Sequence, residues 1–151
     1  AMESAIWGTP AIAVSLDSPS AHQGLIDYST ASWVTKRVVE AYKRYGLPAN
    51  TLLNVNVPFI SRNKIKGLRI TRMGLRVYHD KVDERKDPRG QPYYWVIGES
   101  PTGVSELGTD IGALSEGFVS ITPLHLDLTA YHLLSEMNGW EWTIQQEEDA
   151  E

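Results

Sequence analysis

Apolar runs of strand length alternate with helical stripes along the first third of the chain. Ala11 to Leu16 (AIAVSL) is almost continuously apolar, as in a strand buried on both faces. The segment before it, AMESAIWG, reads as the end of a helix, stopped by Gly8 and barred from continuing by Pro10. After a Ser-, Pro- and Gly-rich loop (DSPSAHQG), Ala31, Val34, Val38, Ala41 or Tyr42, and Tyr45 recur at helical spacing. Asp27 or Ser29 can cap this helix, and Gly46 and Pro48 end it. TLLNVNVP then reads as a strand with Leu53, Val55 and Val57 on one face and Leu52, Asn54 and Asn56 on the other. Strand, helix and strand at this spacing predict a βαβ crossover with a parallel pair.

Beyond Gly67 the pattern changes. Leu68 and Ile70 alternate with Arg69 and Thr71, a strand with one wet face. A charged, turn-like stretch (HDKVDERKDPRGQP) and a strand-like one (YYWVIG) follow. Gly67 to Gly98 is therefore expected to form a long β-hairpin arm with a polar tip, too polar to sit inside the sheet. GTDIGALSEG predicts a short helix capped by Thr109 and stopped by Gly117. FVSITPL predicts a strand ended by Pro123, and DLTAYHLLSEMNG a last helix from Asp127 to Met137, capped by Asp127 and stopped by Gly139. One domain over residues 1–144 with an acidic, disordered tail at 145–151 is the expected organisation.

Composition changes this picture in two places. The net charge of −5 is mostly the tail, where Glu147, Glu148, Asp149 and Glu151 lie together. The cations are concentrated elsewhere: 10 of the 14 Lys and Arg fall between Arg62 and Arg89, against Asp80, Asp83, Glu84 and Asp87. Cysteine is absent, which excludes disulfides and thiolate metal sites. No apolar run reaches the roughly 20 residues that cross a bilayer.

The chemistry-bearing patterns are few. There is no G-x-G-x-x-G, P-loop or G-x-S-x-G, and Ser15 reads as a strand residue. His22, His79, His125 and His132 have no metal-ligand spacing; a lone His125 is more often structural, and His79-Asp80 reads as solvated. Asp83, Glu84 and Asp87 alternate with Arg85 and Lys86, the pattern of local surface ion pairs. The arm carries the functional expectation. Arg85 and Arg89 can grip phosphate, and the run Tyr93-Tyr94-Trp95 can stack on a base. The alternative is that these aromatics pack across the hairpin or onto a partner subunit. No RNA- or DNA-binding motif is present, so no specific nucleic acid is expected.

AMES, GTPAIAVSL, TLLNVNVP, GLRITRMGLR, DPRGQPYYW and GTDIGALSEGFVSITPLHLDLTAY occur in the order seen in the SurE family of stationary-phase survival proteins, the 5′(3′)-nucleotidases. The chain resembles that family from Ala1 to about Tyr131. The resemblance implies a cytoplasmic, Mg- or Mn-dependent phosphatase acting on nucleoside monophosphates, in some members also on short polyphosphate. It implies an α/β Rossmann-type sheet, a projecting hairpin, and a C-terminal helix swapped between subunits of a dimer or tetramer. The family's first strand ends in Asn-Asp-Asp-Gly, whose aspartates bind the metal with a Ser and an Asn from later loops.

This sequence begins inside the helix that follows, so it is expected to be a C-terminal piece with an incomplete sheet; the other reading of Ala1–Gly8 is a short capping helix. No residue matches a family metal ligand, so the expectation is a metal-dependent parent enzyme and a piece inactive alone. The expected substrate contacts are Arg85, Arg89 and Tyr94. Asp110 is read either as a helix cap or as a support behind the site. Tyr93, Trp95, Asp127 and Leu133 are the expected subunit contacts. Two further readings are a non-catalytic assembly module and a nucleotide-binding protein without catalysis.

Overall fold

The computed structural model describes residues 1–19, 22–77, 80–98 and 102–142. In chain order it contains α1 (Met2–Ile6), β1 (Ala11–Asp17), α2 (Ser29–Tyr45), β2 (Thr51–Pro58) and β3 (Leu68–Ile70), with a 3-10 turn at Arg62–Lys64. Then come β4 (Arg76–Val77), β5 (Asp80–Lys86), β6 (Pro92–Gly98), β7 (Thr102–Gly103), α3 (Asp110–Ser115), β8 (Val119–His125) and α4 (Tyr131–Met137).

The fold is a mixed α/β sheet in the order β1-β2-β8-β3. β1 and β2 are parallel with Val14 beside Val55, as the crossover pattern predicts. The intervening α2 has Tyr28, not Asp27 or Ser29, at its N-cap; Asp27 Oδ1 accepts the Ser29 N–H at 2.8 Å in the turn just before it. The helix ends at Gly46, whose φ of 71° lies in the left-handed region. Ala31, Val34 and Val38 form its buried stripe, packed on Val55, Val57, Val119 and Ile121. Val55 and Val57 are fully buried; removing either to Ala deletes about 2 kcal/mol of apolar burial. α3 lies against β2 and β8, and α1 against β1 and β2.

β8 runs antiparallel to β2 and parallel to β3, so it is an interior strand. Pro123 does not end it; the strand continues to His125. The Ile121 carbonyl accepts from Thr71 N at 2.9 Å and so points toward β3. Two residues on, the position of the missing Pro123 N–H points the same way, past the end of β3 at Ile70, where no ladder bond is lost.

Two other expectations change. The strand Leu68–Ile70 belongs to the main sheet, because its partner is Val119–Ile121. The hairpin proper is confined to Asp80–Lys86 and Pro92–Gly98, with a separate two-residue ladder, Arg76–Val77 against Thr102–Gly103, at its root. The last helix starts at Tyr131 with Ala130 at its N-cap, not at Asp127. The Asp127 carboxylate instead accepts the Thr129 N–H at 2.9 Å and so closes the turn before the helix. His79 and the 145–151 tail lie outside the described residues.

Candidate functional site

The hairpin tip is built by Asp87. Its Oδ1 accepts the N–H groups of Arg89 and Gln91, each at 2.8 Å. Its backbone takes the Gly90 N–H at 2.9 Å, and Gly90 has the positive φ of 81° that the reversal requires. The register then decides which side chains meet. Arg85 stands opposite Tyr93 and Asp83 opposite Trp95, while Glu84 stands opposite Tyr94. Directly paired residues share a face, so Arg85, Tyr93 and Trp95 form one face and Tyr94 lies on the other. The sequence grouping of Arg85, Arg89 and Tyr94 is thus divided between the two faces and the tip.

On the first face Arg85 Nε donates to Asp83 Oδ2 at 2.8 Å, and its guanidinium lies 5.9 Å from the Trp95 ring centre. The hydrogen bond to Asp83 raises the Arg85 pKa from its ordinary value. The aromatics are open to solvent, with Tyr94 65% and Trp95 55% exposed. An arginine beside two flat rings is an arrangement that can hold an anion and stack a planar group.

Asp110 is in a different place. It is buried at the start of α3, but the cap is Thr109, whose Oγ1 accepts the Gly112 N–H at 3.0 Å. Asp110 Oδ1 accepts Gly74 N at 2.7 Å, and its Oδ2 lies 3.5 Å from Asn56 Nδ2. It therefore links β2 to the loop entering β4 and does not reach the hairpin faces.

The C-terminal contacts are exposed. Leu133 and Leu134 are 37% and 50% exposed, and α4 buries none of its residues. Asp127 also accepts the Tyr131 hydroxyl. The Thr129 bond, then the Tyr131 bond, lower its pKa to about 2.

Among the described residues no three His, Cys, Asp or Glu converge as a cation site. The described part of the chain does not by itself fit a divalent metal.

Features that the sequence reading missed lie between elements. Arg69 pairs with Glu116 at 2.8 Å and stacks on Phe118 at 3.8 Å. Thr71 Oγ1 meets the hydroxyls of Ser120 and Thr122 at 2.8 and 2.7 Å, joining β3's end to β8. An apolar groove of about 470 Å³ lies between α2 and the β8–β3 half of the sheet, with Tyr42, Leu68 and Ile121 in its wall. Leu68 and Ile70, expected on the dry side of their strand, are 51% and 68% exposed along this groove, while Thr71, expected on the wet side, is buried.

Residues 1–80 match the family described as survival protein SurE. The chain is 42% identical over 142 residues to the 5'-nucleotidase SurE of Chloroflexus aggregans, covering 94% of this chain and 55% of that protein. It is 48% identical over 140 residues to the 5'-nucleotidase SurE of Moorella thermoacetica, covering 93% of this chain and 52% of the relative. The crystal structure of the SurE protein from Aquifex aeolicus superposes with a TM-score of 0.69 at 38% identity, over 91% of this chain and 54% of that one. The chain thus spans about half the length of the relatives it matches.

Proposed function

This chain belongs to the SurE family, and from that premise we propose that it forms the sheet, hairpin and C-terminal helix of a metal-dependent 5'-nucleotidase that releases phosphate from nucleoside monophosphates. The observation that carries this is the match, over nearly the whole chain, to proteins named 5'-nucleotidase SurE. The described residues do not assemble a cation site; following the family resemblance, the proposed donors for Mg or Mn are those of an Asn-Asp-Asp-Gly strand, a motif this sequence does not contain. This chain's own contribution to substrate is the arm. Arg85 and Arg89 draw the phosphate monoester inward, and the Arg85 face, with Tyr93 and Trp95, offers the base a flat wall. Tyr94 serves on the opposite face. Shorter polyphosphates fit the same attraction, and the family resemblance implies a cytoplasmic setting.

A second reading concerns assembly. α4 buries none of its residues, which supports a role in joining copies of the chain as a dimer or tetramer. Tyr93, Trp95, Asp127 and Leu133 are the proposed contacts.

The test is phosphate release from a nucleoside monophosphate with Mn²⁺ or Mg²⁺, by this chain and by a version extended upstream through an Asn-Asp-Asp-Gly strand. Release by the extended protein alone is expected. Release by this chain alone would move the cation site into residues 1–151 and sink the assignment of outside donors; no release by either would sink the nucleotidase reading.

A further inference from the structure

Two glycines at the hairpin root face one isoleucine. A Cβ on Gly74, in the loop before β4, would come within 2.9 Å of both Ile111 Cδ1 and Asp110 Oδ1. A Cβ on Gly103, in β7, would overlap Ile111 outright. Neither glycine has a positive φ, so it is space and not backbone conformation that requires them. Asp110 beside them is only 3% exposed. Among the described residues no cation pairs with it. Its charge is met by the N–H groups of Gly74 at 2.7 Å and Ile111 at 2.9 Å, with the Asn56 amide at 3.5 Å.

Backbone bonds close the same junction. Arg72 N donates to Gly108 O and Asp110 N to Arg72 O, both at 3.0 Å, and Val104 N donates to Leu75 O at 3.1 Å. Moving Gly74 away from α3 would leave a buried acceptor of Asp110 without its Gly74 donor, which disfavours that separation.

We infer that Asp110 and Ile111 are positioning residues: they fasten the ladder β4–β7, through which the chain enters and leaves the arm, to β2 and α3, and so hold that ladder in one place on the sheet. Asp110 holds the entering strand by charge, and Ile111 holds both strands by contact. This inference does not rest on the nucleotidase reading.

The chain has no cysteine, so a spin-label pair can be placed at Ser32→Cys on α2 and Arg76→Cys in β4 without competing thiols. The parent is expected to give a narrow distance distribution. Asp110→Ala and Ile111→Ala should each broaden it at least about twofold, while the Val55 and Ile121 amides keep their protection from hydrogen exchange. Asp110→Asn keeps an acceptor oxygen for Gly74 and should recover most of the narrow width. Unchanged width in both alanine variants overturns the inference, as does a parent distribution that is already broad. Loss of protection at Val55 and Ile121 in step with broadening also overturns it, since Asp110 would then be a general stabiliser. Should Asp110→Ala not fold, Ile111→Ala and Asp110→Asn decide alone.

Discussion

Single side chains in this protein act mainly by holding turns. Asp127 does so at the entrance to α4, and its bonds from Thr129 and Tyr131 lower its pKa from 3.8 to about 2. The folded value is the depressed one. The stabilisation is therefore complete above the unfolded value, about pH 4, and is lost as pH falls toward 2. The 127–131 turn should loosen across that window, and Asp127→Asn should remove the step. The Thr129 amide shift reports it directly; a midpoint at an ordinary carboxylate pKa would refute the arrangement. Thr109 was legible as a cap because a threonine one residue before a helical run has a fixed local role. Asp110, its neighbour, was not legible. Its partners Gly74 and Asn56 are 36 and 54 residues away in sequence, and no local pattern encodes them.

At the scale of elements, local periodicity succeeded where one apolar stripe meets one apolar face. α2 and β2 follow the pattern because the stripe of Ala31, Val34 and Val38 has a matching face in Val55 and Val57; β1, expected to be buried on both faces, is an edge strand with no fully buried residue. β3 was absorbed into the arm because Arg69 gives it a charged face; that charge is held by Glu116 and spread over Phe118. Pro123 looked like a stop because its open side depends on where β3 ends, a tertiary fact. Among the described residues, α4 has none buried against the rest of the fold. On the assembly reading, changing Leu133 and Leu134 to polar residues should leave its helix intact and convert oligomers to monomer or aggregate, read by light scattering. An unchanged oligomer would sink that reading.

Across the whole molecule, the βαβ start was legible from spacing, but the insertion of β8 between β2 and β3 was not. Strand order depends on which late segment completes the early sheet, and sequence adjacency carries no trace of it. That interleaving has a consequence for cutting the chain. No Lys or Arg follows Arg89, and Arg89 is exposed at the hairpin tip beside Gly90. Brief trypsin treatment that cuts after Arg89 would therefore divide the protein into 1–89 and 90–151. The second piece carries β8, clasped on both sides by strands of the first. The two pieces should run separately in denaturant yet elute together from a sizing column, held without a covalent link by the pairings of β8, of β5 with β6 and of β4 with β7; separate elution under native conditions would mean that these ladders grip far less firmly than their lengths imply.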